Sequence, residues 1–382
     1  MKIAYLGAKG LPAKSGVERV LEALVERVKH SHQVVVYCDA RYTPEGTSVE
    51  GIRLIRIQTI KGKHLQPLSY FIASALHAVL FGNYDLIHLH SVEACFVLPL
   101  LDLRYRVIAT AHGSPTRAPR SKWGFAARFL MGLMEYPYVF LARCATSVSN
   151  VDADYYKRRY AREVSVIPNG VDAEHSVCAD EALLILGTVN ATQGSYLLFA
   201  AGRIDPTKGC HLLLEAYYKS SFQDKLLILG DLDQVPEYGR RLTRMADNRV
   251  CFLPVIADKD TFLAVLGACK IFVFPSLSEA MSMTLLEAAS LAVPIVCSDI
   301  PENRWVLGET GCYFRSGDPL DLAYKLQWAH DHLGDLRDRA RDIAVRISRD
   351  FSWDRIAKQY MDLYEYCVGK GRNPVDMQET GP

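Results

Sequence analysis

The sequence predicts an α/β chain made of two doubly wound units in series. Its 382 residues are enough for two domains of ordinary size. Short apolar runs alternate with helical runs, which is the pattern of parallel sheets with crossover helices. The alternation weakens over residues 173–195 and then restarts. We therefore expect an N-terminal domain over 1–172, a linker over 173–195 and a second domain over 196–350.

The first domain is expected to contain six strands and four helices. Each expected strand is a short run rich in apolar residues, and each expected helix has an apolar face. The expected strands are Lys2–Gly7, Gln33–Tyr37, Arg53–Ile57, Asp85–His90, Arg106–Ala111 and Ala145–Val148. The expected helices are Val17–Lys29, Pro67–Leu80, Lys122–Leu141 and Val151–Tyr160.

The second domain repeats the alternation. Its expected strands are Leu197–Gly202, Leu226–Gly230, Arg249–Leu253, Ile271–Pro275, Pro294–Cys297 and Gly311–Phe314. Its expected helices are Cys210–Lys219, Gly239–Ala246, Lys259–Cys269, Met283–Leu291 and Pro319–Arg346. A last amphipathic helix within 351–368 closes the fold, and the polar segment 369–382 is expected to be a disordered tail.

The composition is typical of a soluble globular protein, with 49% apolar and 23% charged residues. The opening run Met1–Gly7 is too short for a signal peptide, and Leu68–Phe81 is too short and too polar for a bilayer span. Ten cysteines are scattered without a CxxC pair, which favours reduced thiols. We therefore expect a cytoplasmic protein without a metal, a cofactor or a nucleic-acid partner.

Positive charge is concentrated in the first half of the chain. Residues 1–180 hold 22 Lys and Arg against 16 Asp and Glu. Between Asp102 and Glu135 six residues are basic and none is acidic: Arg104, Arg106, Arg117, Arg120, Lys122 and Arg128. This asymmetry indicates either an anionic partner or an ordinary solvated face.

Apolar residues are interleaved with these cations over residues 103–134. They are Trp123, Phe125, Phe129, Leu130 and Met131. A helix with this composition could dock on an anionic membrane surface, which would place the protein on the inner face of the cytoplasmic membrane. The same apolar stripe could instead be the core side of the helix, and both interpretations remain open.

Two glycine-containing loops follow expected strands. The segment Gly7–Gly16 could hold a phosphate on backbone N–H groups and a helix N-terminus, although it matches neither the dinucleotide fingerprint nor the P-loop. A simple turn would explain it equally well. The segment Gly202–Gly209 places Arg203 and Lys208 on one loop. Two permanent cations suit a diphosphate, the alternative being solvated surface charges.

Two carboxylates, Glu279 and Glu287, are separated by eight positions, which returns a helix to about the same face. We expect Glu279 to precede a helix that contains Glu287. Burial of Glu287 would require a partner, either ligand hydroxyls or a nearby arginine. Free N–H groups of the first helical turn would point at an anion between the carboxylates. The residues at this turn are Ser282, Met283 and Thr284.

One histidine, His112, ends the fifth expected strand within Thr110-Ala111-His112-Gly113. Ligands of doubly wound sheets bind at the carboxyl ends of strands, so His112 is a candidate functional residue. A structural role for a lone histidine is the alternative.

The ordered set of motifs resembles glycosyltransferase family 4, of the GT-B fold, over essentially the whole chain to about Val368. The motifs are Ser15-Gly16-Val17-Glu18-Arg19, Ala111-His112-Gly113, Pro168-Asn169-Gly170-Val171-Asp172, Gly202-Arg203 with Lys208-Gly209, Glu279 with Glu287, and Phe351-Ser352-Trp353. The resemblance implies two Rossmann-like domains facing a central cleft and a C-terminal helix crossing back to the first domain. It also implies an enzyme of bacterial cell-surface polysaccharide synthesis.

The resemblance implies retaining transfer from a nucleotide-diphosphate sugar, such as a UDP- or GDP-sugar, to a glycan or lipid-linked acceptor. The Gly16 backbone would contact the diphosphate, and Arg203 and Lys208 would neutralise it. Because two cations stabilise the leaving group, the resemblance implies that no metal is needed.

The remaining implied roles concern the sugar and the nucleoside. Glu279 would bind the hydroxyls of the donor sugar, and His112 would lie beside that sugar. Glu287 would bind the ribose. The segment after Arg249–Leu253, with Val255 and Ile256, would hold the base.

Two other functions remain open: a nucleotide-sugar epimerase of the same fold, and a nucleotide-sugar-binding protein without transfer. The basic stretch in the first domain favours an acceptor site and therefore transfer. Asp231-Leu232-Asp233 resembles a metal-binding DxD, but we interpret this short and common pattern as a polar loop.

Overall fold

A computed structural model describes residues 1–62, 65–117, 125–172 and 178–369. The chain divides into two compact units. Unit 1 comprises Met1–Asn169 together with Trp353–Pro382, and unit 2 comprises Gly170–Ser352. The predicted tail, apart from Gly369, lies outside the described residues.

Unit 1 contains a seven-stranded parallel sheet. Its strands are β1 Lys2–Leu6, β2 Gln33–Asp39, β3 Ile52–Ile57, β4 Leu86–His90, β5 Val107–Ala111, β6 Cys144–Ser147 and β7 Ser165–Val166. The spatial order is β3-β2-β1-β4-β5-β6-β7, so the winding direction reverses between β1 and β4. The central strands are buried along their whole length, as expected for a sheet covered by helices on both faces.

The helices of the N-terminal part of unit 1 are α1 Gly16–Val28, α2 Leu65–Phe81, α3 Leu98–Leu101, α4 Phe125–Phe140 and α5 Asn150–Tyr160. A 3-10 helix, Val92–Val97, precedes α3 and was not expected from the sequence. No helix among the described residues is both long and apolar enough to cross a bilayer.

Unit 2 contains a six-stranded parallel sheet. Its strands are β8 Tyr196–Arg203, β9 Lys225–Asp231, β10 Val250–Leu253, β11 Ile271–Phe274, β12 Ile295–Ser298 and β13 Cys312–Phe314. The order is β10-β9-β8-β11-β12-β13, with the reversal between β8 and β11. Its helices are α6 Ala179–Thr188, α7 Cys210–Lys219, α8 Pro236–Met245, α9 Lys259–Gly267, α10 Met283–Ser290, α11 Pro301–Leu307, α12 Pro319–Asp331 and α13 Leu333–Asp350.

Three segments differ from the expectation. The helix expected over Pro319–Arg346 is two helices, because His332 leaves helical geometry at φ −119° and ψ 35°. The segment 173–195, expected to be a linker, contains α6, whose Ala182 and Leu186 are buried and which packs against α9. The short helix α11 was not expected either.

The last described helix, α14 Trp353–Cys367, belongs to unit 1. Its inner face carries large side chains, including Trp353, Tyr360 and Tyr364, all at most 2% exposed. The hydroxyl of Tyr364 contacts Nδ1 of His88 in β4 at 2.8 Å. The chain therefore leaves unit 1, forms unit 2 and returns to complete the core of unit 1.

Candidate functional site

The site in unit 2 is built on the two adjacent strands where the winding reverses, β8 and β11. The loops after these strands are fastened together, since Leu277 N donates to Thr207 O at 2.7 Å. Gly209 has φ +69°, and a Cβ there would lie 2.0 Å from Pro275 O. Only glycine permits this approach, so the two loops form one rigid surface at the carboxyl edge of the sheet.

Arg203 ends β8 and is held by a neighbouring carboxylate. Its Nη2 and Nε donate to Oδ2 of Asp205 at 2.7 and 3.0 Å. Burial raises the pKa of Asp205, but hydrogen bonds from Thr207 and Arg203 outweigh it and the pKa is lowered. Asp205 therefore stays ionised and orients the half-exposed guanidinium. Sequence reasoning missed Asp205, although an Asp directly before Pro206 is a recognisable cap for a helical turn.

Lys208 lies on the same loop and pairs with Glu279 of the loop after β11. The two atoms, Lys208 Nζ and Glu279 Oε1, are 2.7 Å apart. The lysine side chain is 26% exposed and the glutamate side chain 10% exposed. The structure thus brings together two of the predicted site residues that stand 71 positions apart in sequence.

Helix α10 begins beside this pair. Ser282 caps it by accepting from Leu285 N at 3.3 Å, while Met283 and Thr284 form its first turn. The N–H groups of the first turn have no partner within the helix and mark its positive end. Glu287 lies in the next turn and is 1% exposed. As expected, Glu279 precedes the helix and Glu287 lies inside it.

Val255 and Ile256 lie in the loop that follows β10. All strands of this sheet are parallel, so this loop is at the same edge as Arg203. Val255 is 47% exposed and Ile256 is half-buried. An exposed apolar side chain at a ligand-binding edge offers a surface to a planar group. Elsewhere on this edge Asp231 accepts from Asp233 N and Gln234 Nε2, as a polar loop would.

In unit 1, Gly16 is the first residue of α1. It is exposed, and nothing lies within 4 Å of the position of a Cβ there. The preceding loop is fixed by the buried Glu18, whose Oε1 accepts from Lys9 N at 2.9 Å. Gly7 has φ +96°, and a Cβ there would lie 2.0 Å from His90 O. The loop after β1 is therefore packed directly against the end of β4.

His112 follows β5 and is not a lone histidine. Its Nε2 lies 2.8 Å from Nδ1 of His90, at the end of β4. Burial lowers the pKa of His112 to about 4, so the ring is neutral at physiological pH. Sequence reasoning assigned His90 no role and missed this partnership. The available signal was the position of both residues at the ends of successive strands.

Two family models match the sequence. The model described as Glycosyltransferase Family 4 matches residues 14–175, and the model described as Glycosyl transferases group 1 matches residues 195–332. The chain belongs to glycosyltransferase family 4. The first match contains Gly16 and His112, and the second contains Arg203, Lys208 and Glu279.

Two similar proteins are named as mannosyltransferases. The phosphatidyl-myo-inositol mannosyltransferase of Mycobacterium leprae is 27% identical over 300 residues, which are 76% of this chain and 75% of the relative. The O-antigen chain mannosyltransferase B of Escherichia coli is 28% identical over 204 residues, 48% of this chain and 49% of the relative. Both relatives are glycosyltransferases, in agreement with the family of this chain.

Solved structures establish the fold. The sucrose-phosphate synthase of Thermosynechococcus elongatus has a TM-score of 0.79 at 21% identity, with 96% of this chain and 98% of that chain covered. The HepE protein of Anabaena in complex with UDP-glucose has a TM-score of 0.76 at 18% identity, with 96% and 100% covered. The predicted GT-B fold, with two Rossmann-like sheets, is confirmed.

Proposed function

We propose that the chain is a retaining, metal-independent glycosyltransferase that uses a nucleotide-diphosphate sugar such as a UDP- or GDP-sugar. The observation that supports this most directly is the pair of cations on the loop after β8. Arg203 is oriented by Asp205, and Lys208 is oriented by Glu279. Oriented cations stabilise the charge that develops on a departing diphosphate without reorganising during the reaction.

The ion pair between Lys208 and Glu279 suggests how the donor is accommodated. A diphosphate carries more negative charge than one carboxylate, so it competes with Glu279 for the ammonium of Lys208. Glu279, once released, can accept hydrogen bonds from hydroxyls of the donor sugar. Glu287 is proposed to bind the ribose, the first turn of α10 the anion, and Val255 and Ile256 the base.

For unit 1, Gly16 is proposed to contact the diphosphate through its backbone, because its exposed position at the start of α1 leaves room for an anion. His112 is proposed to lie beside the donor sugar. Among the described residues no group of three or more His, Cys, Asp and Glu could hold a metal ion. The charge stabilisation in the proposed reaction comes from Arg203 and Lys208.

A thermal-shift screen of nucleotide sugars tests donor binding. A ligand at 100 times its Kd adds about 2.7 kcal/mol of stability, which is readily measured. The stabilising donor is then incubated with the enzyme and candidate acceptors, with and without EDTA, and the anomeric configuration of the product is read by NMR. Retention and activity in EDTA are expected. An intact donor would indicate a binding protein, an epimerised donor an epimerase, and rescue of an EDTA-inactivated enzyme by Mn²⁺ a metal enzyme.

We further propose a lipid-linked acceptor and docking of unit 1 on the anionic inner face of the cytoplasmic membrane. Helix α2 presents an apolar stripe at helical spacing, with side chains 40–65% exposed: Leu65, Leu68, Ile72, Leu76 and Leu80. Helix α4 presents another, 43–64% exposed: Phe129, Leu130, Leu133, Tyr136 and Phe140. Contiguous exposed apolar surface of this kind marks interaction sites.

The alternative for α4 was that its apolar stripe is the core side. The residues on the core side of α4 are others, since Glu135 and Tyr138 are 0% exposed while Phe129 and Leu130 are exposed. Of the basic residues in the same stretch, Arg120 and Lys122 lie outside the described residues, as does Trp123. The Mycobacterium leprae relative is named for phosphatidyl-myo-inositol, which supports a lipid-linked acceptor here.

Sedimentation with liposomes tests the docking. We expect binding to anionic liposomes at low salt and weaker binding to neutral ones. Changing Leu68, Ile72 and Leu76 to Ser should reduce binding, and so should changing Arg117, Arg120 and Lys122 to Ser. A matched control changes the exposed Leu183 and Leu184 of unit 2 to Ser. If the wild type ignores anionic liposomes, or both triple variants bind them normally, the acceptor is a soluble glycan.

A further inference from the structure

Two histidines of unit 1 are joined by an in-plane hydrogen bond. His90 Nδ1 and His112 Nε2 are 2.8 Å apart, and the ring planes differ by only 13°. The ring centroids are 5.1 Å apart, the separation of imidazoles joined edge to edge through their nitrogens. His90 is fully buried, whereas His112 is partly exposed. His90 therefore supports His112 from inside the domain.

The protonation of the pair follows from burial. Both rings are neutral near pH 7, because burial lowers the pKa of His90 and of His112. One ring must then donate and the other accept. Among the described residues, His90 Nε2 has no hydrogen-bond partner. An orphaned buried N–H is rarer than an orphaned buried acceptor, so His90 carries its proton on Nδ1. His112 accepts at Nε2 and carries its own proton on Nδ1.

The surroundings of His90 fix its ring. Its ring lies 4.2 Å from that of His88, centroid to centroid, and Gly7 packs against its carbonyl oxygen. His88 cannot replace it, because both ring nitrogens of His88 are engaged, with Tyr364 Oη at 2.8 Å and Thr110 Oγ1 at 2.7 Å. The partnership with His112 is therefore specific to His90.

We propose that His90 is a positioning residue that holds His112 in the tautomer with its proton on Nδ1. His112 is then a fixed N–H donor toward the hydroxyls of the donor sugar, rather than a base. The last step rests on the function proposed above for His112. The tautomer itself does not, so the two can be tested separately.

The tautomer is read by NMR on protein with ¹⁵N-labelled histidine rings. Long-range proton–nitrogen spectra distinguish a protonated ring nitrogen from a bare one, and His112→Gln assigns the signals. The expected pattern at pH 7.5 is a proton on Nδ1 of His112. In His90→Leu, His112 should lose this single pattern and show averaged tautomers. A proton on Nε2 of wild-type His112, or an unchanged pattern in His90→Leu, would overturn the proposal.

Kinetics test the consequence for transfer. His90→Leu should lower kcat about 10- to 100-fold, by analogy with residues that orient metal-binding histidines through the second ring nitrogen. The Kd for nucleotide diphosphate should not change, since the residues proposed to bind it other than Gly16 lie in unit 2. His90→Asn should restore part of kcat, because a side-chain amide atom can replace Nδ1.

The matched control is Tyr364→Phe. It removes a buried hydroxyl from His88, at a similar depth in the same core, without touching His112. It should lower stability while kcat stays within about twofold of wild type. An equal loss of kcat in Tyr364→Phe and His90→Leu would show a general structural role and overturn the proposal. If wild type transfers no sugar, the proposed function fails, and the NMR result still decides the tautomer.

Discussion

The two units share a winding scheme and a backbone device but differ in the chemistry at the point where the winding reverses. In each unit a glycine of the loop after the first strand lies against the end of a strand that neighbours it in the sheet, Gly7 on His90 after β1 and Gly209 on Pro275 after β8. In unit 2 that edge carries the ion pairs of Arg203 and Lys208. In unit 1 it carries the neutral pair His90 and His112.

Topology therefore fixes the backbone of the site, whereas a few side chains after the strands fix its charge. A charged edge suits a phosphate, which needs permanent cations. A neutral, buried edge suits sugar hydroxyls, which need donors and acceptors without net charge.

The largest effect is expected from the cations of unit 2. Arg203→Ala and Lys208→Ala should each lower kcat roughly 10²- to 10³-fold, because each removes an oriented charge from the leaving group. Thermal unfolding should change little. The control is Lys219→Ala, an exposed lysine of the same unit, which should keep full activity. Near-normal turnover of both variants would mean that the charged edge does not serve the leaving group.

The shared backbone device predicts parallel losses of stability. Gly7→Ala and Gly209→Ala should each cost about 2 kcal/mol or more, because both need positive φ and a Cβ would collide with a carbonyl oxygen. Gly187→Ala in α6, where nothing lies within 4 Å of a Cβ, should be neutral or slightly stabilising. Urea unfolding of the three variants measures this. Wild-type stability in either loop variant would break the structural parallel.

Most strands of the two sheets, and the charged residues that follow them, could be predicted from the sequence. The alternation of apolar runs located six of the seven strands of the first sheet and all six of the second, because buried parallel strands are continuous apolar segments. It missed β7, which has only two residues. Arg203, Lys208 and Glu279 could be proposed as site residues because charged residues that follow such strands stand out. Their partners were harder to find. Asp205 holding Arg203, and His90 holding His112, depend on side-chain directions that a linear pattern does not contain.

The sequence pattern also failed to predict one helix break, one helix and one exposed helix face. No proline marks the helix break at His332, so the sequence pattern predicts one continuous helix across it. Helix α6 is not recognisable from the sequence, because the exposed Leu183 and Leu184 leave it without a polar face. The exposure of the apolar stripe of α2 could not be predicted, because an apolar helix is expected to be buried. The sequence does not show which face of the helix other elements cover.

Acidification should affect unit 1 more than unit 2. Burial lowers the pKa of His88 to about 3, so the unfolded chain binds a proton that the folded chain does not. Above pH 6.5 this residue does not reduce the free energy of unfolding. As the pH falls from 6.5 toward the folded pKa, the free energy of unfolding decreases. At pH 5 this one residue costs about 2 kcal/mol. The lowered pKa of Asp205 keeps its ion pair intact at that pH.

Amide hydrogen exchange at pH 7 and pH 5, corrected for intrinsic rates, measures this by unit. Protection in β4 and β5 should fall more than in β8 and β11. Burial also lowers the pKa of His211 in unit 2, but this ring is only half-buried. His211 should therefore reduce, but not abolish, the difference in lost protection between the two units. In His88→Gln the extra loss in unit 1 should shrink. Equal losses in both units would contradict the contrast between a neutral and a charged edge.

The smallest effect separates the two glutamates within unit 2. Glu287→Gln should weaken binding of the nucleotide diphosphate about tenfold, because the ribose that it is proposed to bind is present in that ligand. Glu279→Gln should leave this binding unchanged or slightly stronger, since the diphosphate no longer competes with a carboxylate for Lys208. The sugar, which Glu279 is proposed to bind, is absent from the nucleotide diphosphate. Glu279→Gln should therefore weaken binding only of the complete nucleotide sugar. Calorimetric titration of both variants with the diphosphate and with the nucleotide sugar measures the contrast, after equal melting temperatures have shown that both variants fold. Equal losses with the diphosphate would mean that the charged edge acts as one undivided anion site, without separate positions for ribose and sugar.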